Sequence, residues 1–147
     1  MAIAQTTTTS FRVELLQAVH NFDTDTFKIA LYTGAADIGP TTTAYTASGE
    51  TSGTGYVAGG NTLTVSQTPT WGYGPVPNQI PTAYVSFADT SWAGASFTVR
   101  GALIYNASKS NKSVAVLDFG GDKTVSGTTF TVQFPAANPS SAIIRIA

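Results

Sequence analysis

At 147 residues the chain has the usual length of one domain, 1–147, and can bury a core without disulfides or metals. It contains no cysteine, which excludes disulfides, thiolate metal ligands and cysteine nucleophiles. Seven basic and eight acidic residues almost cancel, so the composition predicts no electrostatic binding of nucleic acid or of an anionic membrane.

The composition favours β-structure. Charged residues make up only 10% of the chain, and threonine, which occurs 24 times, takes much of their place. β-branched side chains pack well on a pleated strand and lose rotamer freedom on a helix. A neutral, threonine-rich surface also loses water at low cost, which favours contact with other proteins.

The N-terminus has neither the basic segment nor the apolar segment of a signal peptide, and no apolar run is long enough to cross a bilayer. We therefore expect the protein to be made and kept in a cytoplasm, or assembled there into something larger.

One helix is predicted at about residues 10–21, capped by Thr9 or Ser10. Apolar side chains recur there at helical spacing. Glu14 lies in its first turns and His20 near its end, the order that the helix dipole favours. The apolar residues with this spacing are Phe11, Leu15, Leu16, Val19 and Phe22.

After Asp25 the apolar period changes to two, which predicts strands. Residues 27–32 read as a half-buried strand, and residues 113–119 as a central one. Gly101 predicts a bulge or a close backbone approach. Phe97, Val99, Leu103 and Tyr105 are expected on one face of their strand. The predicted strands are residues 27–32, 61–67, 82–88, 96–106, 113–119, 129–134 and 143–146, with another short one near Tyr45 or Tyr56.

Turns are predicted at residues 106–112, 120–122 and 126–127. Many short strands in one domain indicate an all-β fold, an antiparallel two-sheet sandwich or jelly roll, or a small barrel, with one short N-terminal helix. The side chains expected to point inward are Phe27, Ile29, Leu31, Val85, Phe87, Phe97, Val99, Val116, Phe130, Val132 and Phe134.

Two segments fall outside this pattern. Residues 34–60, rich in Gly, Thr, Ser and Ala, predict a long irregular excursion. Residues 69–81 contain four prolines with Trp71 and Tyr73, too many prolines for an inner strand. Long loops in a small domain are usually functional or held by a neighbour.

The residues needed for catalysis or metal binding are sparse. His20 is the only histidine, so we expect it to be structural or solvated rather than part of a triad or zinc site. Asp23 and Asp25 flank a turn without the other ligands of a calcium loop. Asp118 and Asp122 are expected at a tight turn, and no pair of carboxylates for sugar hydrolysis is evident.

The remaining motifs have simple structural explanations. The glycines of residues 53–60 lack the Lys-Ser/Thr of a phosphate-binding loop. Lys109 and Lys112 predict a small solvated basic tip. Trp92 is expected in the core, whereas Trp71 and Tyr73 could stack on a sugar or anchor an interface. We expect no catalytic residue, no metal and no cofactor.

Six segments of the chain form a recognisable series: residues 9–22, 27–33, 52–60, 100–106, 114–119 and 130–146. In this order, they resemble a family of small virion structural proteins of tailed bacteriophages. The most specific are residues 100–119 and the C-terminal block, and the departure is residues 69–81, which are longer and richer in proline and aromatics.

This resemblance implies a non-enzymatic particle component, in a family whose members are labelled head decoration, tail or simply structural. A compact β-fold without shape repeats or coiled-coil heptads favours a capsid decoration (cement) protein, on the capsid surface of a virion assembled in the bacterial host cytoplasm. The implied partners are the major capsid protein and copies of itself, as in a homotrimer, and neither nucleic acid nor membrane. The alternative is a tail or fibre-associated component with a carbohydrate-binding β-domain. The interface residues hypothesised are Trp71, Tyr73, Pro75 and Pro77.

Overall fold

The computed structural model describes residues 2–147 and contains two antiparallel sheets and one short helix. Strands take up 49% of the chain and helix 5%, so the predicted all-β sandwich with one N-terminal helix is confirmed. The elements are β1 (Thr6–Thr7), α1 (Thr9–Leu16), β2 (Phe27–Tyr32), β3 (Asn61–Thr62), β4 (Val65–Tyr73), β5 (Pro81–Phe87), β6 (Thr90–Asn106), β7 (Lys112–Val132) and β8 (Ile144–Ile146).

The large sheet has the strand order β1-β7-β6-β2-β3, and the small sheet has the order β4-β5-β8. The hairpin of β6 and β7 forms the middle of the large sheet, joined by the predicted turn after Asn106. β7 lies second from the edge, between β6 and the two-residue β1. The strand predicted as central at residues 113–119 is therefore buried as expected but is not in the middle of the sheet.

The predicted turns at residues 120–122 and 126–127 are wrong, because β7 continues through both. Val99 pairs with Lys123 and Gly101 with Asp118, so the intervening residues of β7 bulge out of the ladder. Gly127 is a further extra residue opposite β6. Glycines with positive φ accommodate such bulges, and the long partner strand keeps the pairing on either side.

Gly101 fulfils both predictions made for it. The register of β6 shifts next to it, and a Cβ at this position would meet the Leu117 carbonyl oxygen at 2.5 Å. The bulge also exchanges the two faces of β6. Phe97 and Val99 therefore lie in one apolar cluster and Leu103 and Tyr105 in the other, which corrects the expectation that all four share a face.

The first core lies between the two sheets and beneath α1. It buries the phenylalanines of β2, β5 and the segment after α1, and two of these, Phe22 and Phe27, stack with ring centroids 4.5 Å apart. Ten of the eleven side chains predicted to point inward belong to this core or pack on it, with Phe130 and Phe134 partly buried.

The second core lies on the opposite face of the large sheet and contains the eleventh, Val116. Residues 2–5 and the excursion at residues 34–60 cover this face, through Ile3, Ala36 and Ile38. β2 is therefore buried on both faces, and the prediction of a half-buried strand was wrong. The excursion makes isolated bridges at Ala44 and Thr54 but no strand.

The helix is shorter than predicted. Thr8 caps it, accepting a hydrogen bond from the Phe11 N–H, and it ends at Leu16. Ala18 follows with a φ of 57°, a left-handed conformation that closes a helix C-terminus. The apolar spacing continued to Phe22 because that side chain reaches the same core from the connecting segment.

The strand predicted at residues 61–67 is two strands in two sheets. β3 pairs with β2 in the large sheet, whereas β4 starts at Val65 and pairs with β5. The chain changes sheets at Leu63, whose side chain is buried in the core between them.

Gly60 is where the excursion returns to β2, and it provides a test of this packing. A Cβ at Gly60 would lie 1.8 Å from the Ile29 carbonyl oxygen, and φ is +71°. We expect Gly60→Ala to lower the free energy of unfolding in urea by about 3 kcal/mol or more, because backbone atoms cannot yield. Gly94→Ala is the control, since Gly94 has a similar φ but nothing within 4 Å, and should cost only about 1 kcal/mol. Equal losses in the two variants would contradict this account.

Candidate interaction surface

His20 is a buried structural residue. Its Nε2 lies 2.9 Å from Glu14 Oε2 and its Nδ1 lies 3.0 Å from Asn106 Nδ2. Asn106 Oδ1 accepts a hydrogen bond from the Ser108 N–H, which fixes the orientation of the amide. The amide therefore donates to Nδ1, and the hydrogen on Nε2 points at Glu14. Neither ring nitrogen is free to act on a substrate.

The same network includes both lysines of the β6–β7 turn. Lys112 Nζ lies 2.6 Å from Glu14 Oε1, and Lys109 Nζ lies 3.7 Å from Asp25 Oδ1. The expectation of a solvated basic tip is thus corrected, because each lysine faces a carboxylate from the opposite segment. Asp25 also accepts hydrogen bonds from the Asn106 amide and the Asn21 N–H, so it joins helix to strand as predicted.

Glu50 organises the excursion at residues 34–60. Its carboxylate accepts hydrogen bonds from the hydroxyls of Tyr45 (2.7 Å) and Tyr56 (2.6 Å) and from the Gly59 N–H (2.7 Å). The hydroxyl of Tyr56 in turn accepts one from the Leu31 N–H. The Gly59 N–H thus binds a carboxylate of the chain itself, in keeping with the rejection of a phosphate site.

The hydroxyls around Glu50 are held in their protonated form. Burial, with the hydrogen bond to Glu50 and its charge, raises the pKa of Tyr45 to about 12. Burial and then Glu50 also raise the pKa of Tyr56 above its ordinary value. This cluster therefore stays a set of neutral donors to one carboxylate at physiological pH.

Within residues 2–147, no three acidic or histidine side chains come together in a way that could hold a metal ion. In that same part of the chain, α1 falls far short of the length and apolar character of a membrane-crossing helix.

The most exposed aromatic side chains lie on the segment that we call the aromatic hairpin, residues 69–81, which runs from β4 into β5. Trp71 is 63% exposed and Tyr73 57%, and their rings meet edge to face at 5.4 Å. β4 is an edge strand and has a register shift between Gln67 and Thr70, and both features allow Pro69 to lie within it. Trp92, by contrast, is buried in the core as predicted.

The tip of the hairpin is exposed and ordered by short-range contacts. The Gly74 N–H donates to the Ile80 carbonyl oxygen at 3.1 Å, and Pro75 and Pro77 lie between them on the surface. The four hypothesised interface residues are therefore together and accessible at one end of the small sheet. Pro75 also borders a groove of about 600 Å³ with Arg145 and Pro139.

The rings belong to the core-facing side of the small sheet. Trp71 pairs with Ala83, and Ala83 pairs with Ile146, so these three share one face. Val85, two residues from Ala83, lies on that face too and is buried in the core. The inner face of the small sheet thus extends beyond the core, where nothing in residues 2–147 covers it.

The sequence interpretation missed two members of this surface. Leu16 is the last residue of α1 and is 92% exposed. Ile146 is 58% exposed at the end of β8. Ile144 and Ile146 are two residues apart and lie on the same face of β8, so the pattern suggests equal burial. Only Ile144 reaches the core.

Comparisons with protein-family models, with curated proteins and with solved structures found no match for this chain.

The network around His20 predicts a pH dependence of stability. Burial raises the pKa of Glu14, but hydrogen bonds from Lys112 and His20 outweigh it and leave the pKa below the ordinary 4.5. Burial likewise raises the pKa of Asp25, while hydrogen bonds from Asn106 and Asn21 bring it below 3.8. A lowered carboxyl pKa adds stability above the unfolded value, and this is lost as the pH falls through the folded value. We expect the free energy of unfolding to fall between about pH 5 and 3.

Urea titrations at several pH values check this, and the slope should be flatter in the double variant Glu14→Gln/Asp25→Asn. The control is Asp122→Asn. The Asp122 side chain is 61% exposed and its ion pair with a half-exposed arginine, at 3.8 Å, contributes little to stability, so this variant should keep the wild-type slope. An unchanged slope in the double variant would show that other carboxylates cause the acid sensitivity.

The cluster around Glu50 makes a separate prediction. Tyr56→Phe removes a hydroxyl that both donates to Glu50 and accepts from the Leu31 N–H, so two partners lose a bond. We expect a loss of about 1–3 kcal/mol in the free energy of unfolding. The control Tyr73→Phe, at an exposed hydroxyl, should stay within about 0.5 kcal/mol. A loss no larger than in the control would mean that the cluster does not hold the excursion.

Proposed function

We propose that this chain is a non-enzymatic structural protein of a bacteriophage virion, a capsid decoration (cement) protein that binds the outside of the head. Its partners are the major capsid protein and copies of itself. The observation that carries the proposal is the aromatic hairpin, an ordered and uncharged projection with two large aromatic rings on the surface.

The hairpin has the properties of an interface anchor. Trp71 and Tyr73 offer large apolar area with a polar atom at the edge, the type of side chain that dominates binding hot spots. The prolines at 69, 75, 77 and 81 restrict the backbone before binding, so little conformational entropy is lost on docking. An exposed patch of this kind requires cover from a partner in the assembled state.

The rest of the chain supports an assembly role. Polar side chains capable of acid–base chemistry are used in internal contacts. Glu14 is hydrogen-bonded to His20 and Lys112, and Glu50 is hydrogen-bonded to two tyrosines. These contacts hold segments of the chain together. The resemblance of residues 100–119 and of the C-terminal block to phage virion proteins directs the proposal to a particle rather than to another assembly.

The geometry of the rings favours a protein contact over sugar binding by a tail component. A sugar stacks on one aromatic face with polar side chains around it, whereas the two rings here are 80° apart. The grooves next to the hairpin are lined by neighbouring residues and not by either ring, and no aspartate or glutamate side chain lines them.

Particle binding tests the proposal. We expect the purified protein to bind phage heads that lack it, and Trp71→Ala/Tyr73→Ala to weaken binding by a few kcal/mol, roughly a hundredfold or more. Its circular dichroism should stay unchanged, because both rings lie outside the core. Val57→Ala is the matched control, since Val57 is 77% exposed on the excursion, away from the hairpin.

Three results would contradict the proposal. Density for this chain in the tail and not on the head, in a map of the whole particle, would move the protein to another part of the virion. Equal binding of the double variant and the wild type would show that the aromatic hairpin is not the contact. Unfolding of the double variant would place the rings in the core.

A further inference from the structure

An apolar face runs from the aromatic hairpin across the small sheet to α1. We call it the docking face; its exposed members are Trp71, Tyr73, Ile146 and Leu16, with Ala83 in the middle. One groove of about 350 Å³ and one of about 290 Å³ lie along it, and both are lined by Leu15, Ile144 and Ile146. The two grooves therefore adjoin each other at these apolar side chains, between the helix and the sheet.

The two ends of the docking face differ in chemistry. The hairpin end lies within residues 51–88, a stretch without any charged residue. The helix end has Arg12 along its groove. Arg145 belongs to the opposite face of the small sheet, because it alternates with Ile144 and Ile146 and its guanidinium donates to the Ser140 carbonyl oxygen. No aspartate or glutamate side chain of residues 2–147 lines either groove, and Arg12 has no carboxylate within 4 Å in that part of the chain. One end thus offers aromatic rings, and the other offers a cation beside aliphatic side chains.

We propose that the docking face is covered by the docking face of a second copy of this chain, related by a two-fold axis near Ala83. Such a pairing is self-complementary, since it places the aromatic end of each copy on the helix end of the other. Trp71 and Tyr73 then cover Leu16 and Ile146 of the second copy, with its Arg12 beside the rings in cation–π contact.

The available area fits a weak pair. At their observed exposures the two aromatic rings present about 250 Å², and Leu16 and Ile146 add about 150 Å². The pair would bury about 800 Å² from these four residues of both copies, plus the rim. This falls in the small class of interfaces, which form when the local concentration is high, as on a particle surface.

The inference deepens the proposed function, because it names a copy of the chain as the partner of the aromatic hairpin. Its test uses the purified protein alone, so it can fail while particle binding succeeds, and the reverse. Sedimentation velocity over a wide concentration range is the measurement. We expect the sedimentation coefficient to rise from that of a monomer to that of a dimer.

Variants at both ends should weaken the dimer. We expect Trp71→Ala to raise the dimer dissociation constant about thirtyfold. Leu16→Ala should raise it about tenfold, and Arg12→Ala about threefold. The matched control Arg100→Ala removes an arginine from β6, which is paired with Asp122, and should leave it unchanged. A monomer at every concentration, or a dimer insensitive to Leu16 and Arg12, would overturn the inference.

The cysteine-free chain allows a direct test of the pairing. We expect Tyr73→Cys and Leu16→Cys, mixed and oxidised, to give a disulfide-linked heterodimer in higher yield than either variant alone. Predominant linking within each single variant would overturn the two-fold arrangement. A monomeric protein whose binding to phage heads is lost in Leu16→Ala would likewise overturn it, assigning the face to the coat protein instead.

Discussion

The large sheet is apolar on both faces, and the rest of the structure follows from the need to cover them. Residues 101–106 of β6 are all buried, and so are residues 113–117 of β7. One face is covered by the small sheet and α1, and the other by the N-terminal residues and the excursion at residues 34–60. A sheet of this type needs two layers of cover, since an uncovered face would expose several hundred Å² of apolar surface.

Five charged side chains hold the helical segment and the excursion against the large sheet. Glu14, Asp25, Lys109 and Lys112 join the helical segment to the β6–β7 turn, and Glu50 holds the excursion through two tyrosines. Breaking one partner of such a buried group leaves the other unsatisfied, which makes these contacts specific for one arrangement. Both lysines remain partly exposed at the surface, whereas the aromatic hairpin lies in a stretch without any charged residue.

The sequence predicted the class of fold and most of the core, because alternation of apolar residues reports burial directly. It could not show that Gly120 and Gly127 are bulges, since a glycine that permits positive φ serves a turn and a bulge equally well. The faces of Leu103 and Tyr105 were misassigned for another reason: a bulge was predicted at Gly101, but the alternation was continued through it, whereas the bulge exchanges the two faces. Trp71 and Tyr73 were identified from residue type alone, whereas Leu16 required knowledge of where the helix ends.

The long hairpin of β6 and β7 has a consequence for the order in which the chain folds. Only the five residues 107–111 separate these strands, so they meet quickly, whereas β1 and β2 must wait for partners far along the chain. During synthesis the apolar β2 leaves the ribosome long before β6 exists to receive it. The large sheet therefore forms late, and a shortened product that ended before β6 would leave β2 with only the two-residue β3 as a partner strand.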